Sequence, residues 1–206
     1  MPCLLLVNGG RPFWIAKAKQ IYKLISKDIL LSVRKSLAAS LVEIARLLDL
    51  KDEEAEEERS FLVDVANNLL SDVDEVKLNL LPNVCDFISL FPEKSQVMLL
   101  SSMLRDKLQN DKERKTRDVR VKLIQRLFEL FPTAQLVDNE FHHFLYEAIK
   151  SEQVVAHRIA CAKTCGKFVI ARLIKNKTYR ADLTNFIDSL RRSKNFRDRQ
   201  MYLIVA

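Results

Sequence analysis

The feature that most constrains the fold of this chain is a pattern that recurs about every forty residues. Five segments can be aligned on reference positions 38 to 43 residues apart, namely Val33, Val76, Val119, His157 and Asp198. The residue after each reference position is basic: Arg34, Lys77, Arg120, Arg158 and Arg199. A fixed basic position at this spacing indicates an internal repeat, in which similar units stack on one another.

Apolar residues follow each basic residue at the spacing of one helix face. The predicted core positions in the five copies are Leu37, Ala38, Leu41, Ile44 and Ala45; Leu80, Leu81, Val84, Phe87 and Ile88; Leu123, Ile124, Leu127, Leu130 and Phe131; Cys161, Ala162, Cys165, Phe168 and Val169; and Tyr202 and Leu203. The five residues 201–205 are all apolar and cannot all face inward on one helix, so we expect some of them to be exposed.

A second amphipathic stretch precedes each of these helices, for example FWIAKAKQIYKLIS before the first and RADLTNFIDSLRR before the fifth. Only 3 Gly and 5 Pro interrupt 206 residues, and no run alternates as a strand would. We therefore predict an all-α fold, an α-solenoid of about five stacked helical hairpins. The approximate repeats are 13–50, 51–92, 93–132, 133–177 and 178–206, and the pattern leaves residues 1–12 undetermined.

This unit resembles the HEAT repeat, whose second helix opens with an acidic residue followed by a hydrophobic–basic pair. In that family the acid of one repeat bonds the base of the next. Asp28 and Glu152 stand five residues before their reference positions, where this acid belongs. Ser71, Arg114 and Ser193 occupy the matching positions in the other copies, where Asp72 and Asp74 are local substitutes in the second copy.

The closer resemblance is to the HEAT-repeat scaffold and regulatory subunits of Ser/Thr protein phosphatases. SDVDEVKLNLLPNVCDFISLF and FRDRQMYLIVA are similar to repeats of the protein phosphatase 2A structural subunit. The acidic insertion KDEEAEEER, with RKSLAASLVEIARLL and HRIACAKTCGKFVIARL, is most similar to regulatory subunits of protein phosphatase 4. The family's members are much longer, so the resemblance implies a fragment or a short isoform.

The resemblance implies a non-catalytic protein without a cofactor, whose partner is a phosphatase catalytic subunit, here that of protein phosphatase 4. Family members contact partners mainly through the turn inside each hairpin, which corresponds here to residues 27–32, 71–75, 110–118, 151–156 and 193–197. The candidate contact residues in these turns are Lys27, Asp28, Asp72, Asp74, Glu75, Lys112, Arg114, Lys115, Glu152, Lys194 and Arg197.

The charge distribution keeps a second function open. Residues 1–103 carry a formal charge of −3, whereas residues 104–206 carry +10. A basic half attracts acidic partners, so the alternative is a HEAT-repeat module that binds nucleic acid or acidic protein cargo. A continuous basic lining of one face would favour this alternative, and scattered charge would favour the scaffold.

Catalytic and metal-binding patterns are weak. His157, Cys161 and Cys165 share one helix face, but zinc sites usually draw ligands from two elements, and both cysteines fall on core positions. His142 and His143 are adjacent, so we expect them to point to different sides of a helix. No nucleophile motif or phosphate-binding glycine loop accompanies them.

The remaining features bear on location and on surface charge. Four cysteines without disulfide-scaffold density, and no segment of membrane length, predict a cytoplasmic protein without a membrane contact. The acidic run DEEAEEE at 52–58 is expected to be an exposed loop or a frayed helix start.

Overall fold

The structure is a computed structural model, which describes residues 2–110, 114–138, 140–170 and 177–205. Within these ranges every regular element is helical, so the all-α prediction is confirmed for the part of the chain that the structure describes. The chain divides into two compact units, Met1–Leu104 and Arg105–Ala206. The division falls inside the third predicted repeat, and the five repeat boundaries remain predictions.

The helices of the first unit follow in short succession. They are α1 (Pro2–Val7), α2 (Arg11–Phe13), a π-helical segment (Trp14–Ala18), α3 (Lys19–Ile25), α4 (Leu31–Leu47), a 3₁₀ turn (Glu53–Ala55), α5 (Glu56–Leu70), α6 (Asp74–Leu80), a 3₁₀ turn (Leu81–Asn83), α7 (Val84–Ser89) and the first part of α8 (Glu93–Asn110). Helix α4 is central, because α3, α5, α6 and α7 all contact it.

Residues 1–12, which the sequence pattern left undetermined, include helix α1, which packs on α4 with Leu5 fully buried. The chain then turns through Gly9 and Gly10, both at positive φ (92° and 66°), and the amide of Gly10 donates to the carbonyl of Leu5. This left-handed exit suits glycine, since a side chain there would strain the backbone.

A proline divides the second helix of the second predicted repeat. Pro82 lacks the N–H that an uninterrupted α-helix needs, and the backbone passes through a 3₁₀ turn between α6 and α7. The predicted core residues on both sides, including Leu80 and Phe87, are nevertheless buried. The apolar stripe therefore survives the break in the helix.

The helices of the second unit are the end of α8, α9 (Arg114–Leu130), α10 (Thr133–Asp138), α11 (His142–Ser151), α12 (Val155–Thr164), a π-helical segment (Cys165–Ile170), α13 (Lys177–Arg191) and α14 (Phe196–Val205). Helix α12 contacts both α9 and α14, and α13 packs against α14. The predicted second helices α9, α12 and α14 thus follow one another side by side within this unit.

The predicted core positions agree with the buried residues in the first three copies, except that Leu130 is half-buried. In the fourth copy Cys161, Ala162 and Cys165 are buried, and the side chains of Phe168 and Val169 lie outside the described residues. In the fifth copy the expected core residue Leu203 is 76% exposed, while Met201 and Val205 are buried. The frame shifts there because α14 packs on its neighbours through the face of Met201 and Val205, and Leu203 lies on another side.

Candidate functional site

The four arginines at the repeat position bind backbone carbonyls, and three of them also bind an acid that lies further along the chain. Arg34 places its guanidinium on Asp72, with Nε 2.6 Å from Oδ2 and Nη2 3.1 Å from Oδ1. Its third nitrogen, Nη1, donates to the carbonyls of Asp28 (2.6 Å) and Ile29 (3.2 Å) in the preceding turn. One arginine therefore connects two turns, through a bidentate ion pair with a carboxylate in one and hydrogen bonds to carbonyls in the other.

The second unit repeats this arrangement with more deeply buried groups. Arg158, whose side chain is 4% exposed, donates from Nε to the carbonyl of Ile149 and from Nη2 to Asp198, each at 2.8 Å. Asp198 also accepts a hydrogen bond from the hydroxyl of Ser193 at 2.7 Å. Arg199 donates to the carbonyls of Ser193 (2.9 Å) and Lys194 (3.0 Å), at the same offsets that Arg34 uses.

Glu152 is the most buried acid of this network. Its carboxylate, 4% exposed, lies 3.4 Å from Nε of Arg117 and 3.9 Å from Nη1 of Arg120. Arg120 also donates from Nε to the carbonyl of Leu108 at 2.8 Å. Lys77, the lysine of the series, pairs with Asp74 at 3.4 Å within its own helix.

The direction of these ion pairs along the chain is opposite to that of the HEAT-repeat pattern. There, the acid of one repeat bonds the base of the next repeat. Here Arg34, Arg120 and Arg158 bind an acid of the following predicted repeat, namely Asp72, Glu152 and Asp198. Asp28 takes another part, because its carboxylate accepts from the amide of Leu30 at 2.8 Å. The signal for Asp198 is present in the sequence only as an acid at the reference position itself.

The turns expose aliphatic side chains at the start of three of the predicted second helices, α4, α6 and α12, whereas Asn195 stands at the same repeat position before α14 and accepts from the amide of Arg197 at 3.0 Å. The residues at the N-cap positions of α4, α6 and α12 are Leu30, Val73 and Val154, and they are 62%, 49% and 42% exposed. Phe196, the first residue of α14, is 69% exposed. N-caps are usually Ser, Thr, Asp or Asn, because these side chains bind the free amides of the first turn. Sequence reasoning placed partner contacts in these turns but singled out only their charged residues.

The charged candidates in the turns have diverse environments. Asp28, Asp72 and Asp74 are half-buried and Glu152 is buried, whereas Lys27, Glu75, Lys194 and Arg197 are exposed. Lys112 and the side chains of Arg114 and Lys115 lie outside the described residues. The hydrogen bond from Arg34 holds the pKa of the Asp72 carboxyl below its usual range.

The acidic run is more ordered than a frayed loop. The Asp52 side chain accepts from the amide of Glu54 at 3.1 Å, and Arg11 lies 2.9 Å from Asp52 and 3.5 Å from the buried carboxylate of Glu58. Arg59 closes the segment by donating to the carbonyls of Leu50 and Asp52. The acidic run therefore forms the beginning of α5, held by ion pairs with Arg11 and by hydrogen bonds from Arg59.

The histidines differ from the sequence-based expectation. The rings of His142 and His143 lie 4.1 Å apart between centroids instead of pointing to different sides. They stand in the first turn of α11, where His142 is buried and its Nε2 lies 3.2 Å from Asp182 of α13. Burial lowers the pKa of His142, the neighbouring His143 adds to this, and Asp182 opposes it.

The other histidine and cysteine positions are separate features. His157 lies 3.0 Å from Asp118, through its Nε2. Cys161 and Cys165 are free thiols in the core, where burial raises the pKa of each to about 12. Thiols with such pKa values remain protonated and behave as small apolar side chains.

No helix in the described part of the chain has the length and apolar character that crossing a membrane requires. The sequence matches no protein-family model and no curated protein.

Proposed function

We propose that this chain is a HEAT-repeat α-solenoid that acts as a non-catalytic scaffold and binds the catalytic subunit of a Ser/Thr protein phosphatase. The sequence resemblance points to the type of protein phosphatase 4 regulatory subunit 4, with the protein phosphatase 4 catalytic subunit as the partner. The observation that carries the proposal is the set of exposed aliphatic residues at the N-caps of three predicted second helices, α4, α6 and α12.

These residues are unfavourable for the isolated chain in two respects. An aliphatic N-cap offers no side-chain acceptor to the first amides of the helix. An exposed Leu or Val also contributes none of the free energy that a buried apolar side chain contributes to folding. Leu30, Val73 and Val154 share both disadvantages at the same repeat position. A protein partner that covers them would turn this disadvantage into binding energy.

The arginine bonds give these turns the rigidity that an interface needs. In the first unit, Arg34 joins the turn that ends at Leu30 to Asp72, the neighbour of Val73. In the second unit, Arg158 joins the start of α12 to Asp198, two residues after Phe196. Turns held in this way lose little conformational entropy when a partner binds.

Binding of purified catalytic subunits tests the proposal. We expect the full chain to bind the catalytic subunit of protein phosphatase 4, and Val73→Ser and Val154→Ser each to weaken binding at least tenfold. Met98→Ser is the matched control, because Met98 is 66% exposed but lies inside helix α8 and not in a turn. Absence of binding, or equal affinity of all variants, would contradict the proposal; a pull-down with mass spectrometry would then identify the actual partner.

The alternative, binding to nucleic acid or acidic cargo, has one specific observation in its favour. Lys163 and Lys167 are exposed at a cavity of about 350 Å³ lined by α9, α12 and the following π-helical segment. Glu129 lines the same cavity and pairs with Arg126 at 3.0 Å. Because Glu129 lines the same cavity as the two lysines, and Arg120 and Arg158 are bound to acids, the charge of this unit favours the scaffold over a phosphate-binding face.

A further inference from the structure

The second unit brings three metal-ligating side chains together at the start of α11. The donor atoms of His142, His143 and Asp182 all lie within 4.8 Å of one another. The two histidines open α11, and Asp182 lies forty positions further along the chain, in α13. We propose that these three residues form a binding site for a divalent transition-metal ion of the zinc class.

The donor set matches the chemistry of such ions. Two imidazoles and one carboxylate, with a fourth position open to water, are ligands that Zn²⁺ accepts. Bonds of about 2.0–2.2 Å place neighbouring ligands of a tetrahedral ion about 3.3 Å apart. The 3.2 Å between His142 Nε2 and Asp182 Oδ2 has this length, so a metal ion can replace the proton that now lies between them.

An aromatic floor lies against the two imidazoles and holds the buried ring of His142 in place. The Tyr146 ring meets the ring of His142 edge-on at 5.4 Å and that of His143 at 6.1 Å. Phe186 of α13 stacks on Tyr146 with centroids 3.9 Å apart and an interplanar angle of 7°. The stack links the two helices that supply the ligands, and packing that locks ligand orientation in advance favours metal binding.

Exposure leaves a route for the ion. His142 is 6% exposed, whereas His143 is exposed and the Asp182 side chain is 46% exposed. His143 can therefore rotate toward the ion while His142 and Asp182 stay in position. With the metal on Nε2, the single ring proton is on Nδ1.

A second histidine–aspartate pair provides an internal comparison. His157 Nε2 lies 3.0 Å from Asp118 Oδ1, in the same unit, and this pair belongs to no group of three donors among the described residues. If a hydrogen bond between histidine and aspartate were enough for metal binding, both pairs would bind. The second imidazole is the feature that distinguishes the proposed site.

Calorimetric titration of the metal-free full chain with ZnCl₂ tests the site. Cys3→Ser serves as the background for all variants, because Cys3 is an exposed thiol. We expect one Zn²⁺ per chain with a Kd on the order of 10 μM or tighter, and a thermal midpoint that rises with Zn²⁺ concentration. His143→Ala and Asp182→Asn should each weaken binding at least tenfold, while His157→Gln should stay within twofold.

Absorption of the Co²⁺-substituted chain adds an independent readout. Nitrogen and oxygen ligands give weak visible bands, whereas cysteine ligands add an intense thiolate band in the near ultraviolet. Unchanged Zn²⁺ affinity in His143→Ala and Asp182→Asn, weakening by His157→Gln as large as theirs, a thiolate band, or no binding at millimolar Zn²⁺ would each overturn the proposal. None of these results depends on phosphatase binding.

Discussion

At the scale of single residues, arginine suits the repeat position because it can bind a carboxylate and a backbone carbonyl at once. Arg158 illustrates this, since Nε binds the carbonyl of Ile149 and Nη2 binds Asp198. Lys77 offers one ammonium group in place of this fork and pairs with Asp74 of its own helix.

Replacing Arg158 by methionine should destabilise the chain strongly. The substitution leaves the carbonyl of Ile149 and the carboxylate of Asp198 without their main partner, so we expect a loss of about 3 kcal/mol in the free energy of unfolding. Arg192→Met is the control, because Arg192 is 73% exposed and lies 3.5 Å from Asp188; it should change stability by less than about 0.5 kcal/mol. Urea denaturation measures both, and equal losses would contradict the role of the buried pair.

The Arg34–Asp72 pair should make stability depend on acid pH. The pKa of Asp72 is lowered in the folded chain, so the unfolded chain binds the proton more tightly. The contribution of the pair is therefore present above the unfolded pKa of about 3.9 and is lost as pH falls through the folded pKa.

Asp72→Asn should remove that part of the pH dependence. We expect a thermal midpoint lower than that of the wild type by about 2–4 °C at pH 7, with the two midpoints converging as pH falls below about 4. Thermal unfolding followed by circular dichroism between pH 2 and pH 7 checks this. A constant difference over the whole range would show that the carboxylate charge is not the cause.

At the scale of elements, the sequence predicted the helices more reliably than their ends. The stripes in α4 and α9 have the 3.6-residue period and are buried as expected, with Leu130 only half-buried, because each face has a neighbouring helix to pack on. The interruption at Pro82 and the shift of frame in α14 depend on local backbone chemistry and on which side is covered. The hydrophobic period alone predicts neither the break at Pro82 nor the change of buried face in α14.

The candidate sites show the same limit more clearly. The arginines were found because they recur at one position, but their carbonyl acceptors and Asp198 carry no comparable signal. Asp182 could not be assigned to the histidines, because forty residues and a change of helix separate it from His142. The aliphatic N-caps could have been predicted from the sequence, because Leu30, Val73 and Val154 stand at the same position of their predicted repeats.

A polar N-cap on α12 should raise the stability of the chain and lower its affinity for the partner. Val154 has the extended backbone of an N-cap (φ −79°, ψ 117°) but no side-chain acceptor. We expect Val154→Ser to stabilise the chain by about 1 kcal/mol while it weakens binding of the phosphatase catalytic subunit. Urea denaturation and the binding assay, run on the same protein, check both halves. Loss of stability would mean that the valine side chain already packs within the chain.

At the scale of the whole molecule, the two compact units carry formal charges of opposite sign. The first unit, residues 1–104, carries −3 and the second, residues 105–206, carries +10. Several arginines of the second unit, such as Arg117 and Arg120, are bound to acids and are not available to phosphates without breaking those bonds. The field of this unit therefore attracts polyanions generally without selecting a sequence.

We expect weak, sequence-independent binding of the full chain to DNA or RNA that fades steeply as salt rises, because affinity of this kind comes from released counterions. Lys163→Glu with Lys167→Glu should weaken binding at 50 mM salt and flatten the salt dependence. Lys17→Glu with Lys23→Glu, which makes the same charge change on exposed residues of the first unit, should have the smaller effect. Fluorescence anisotropy with unrelated oligonucleotides, measured from 50 to 300 mM NaCl, provides the comparison. Submicromolar affinity that persists at 150 mM, or discrimination between oligonucleotide sequences, would favour the nucleic-acid module over the phosphatase scaffold, because non-specific phosphate contacts give dissociation constants of about 10⁻⁴–10⁻⁶ M at that salt.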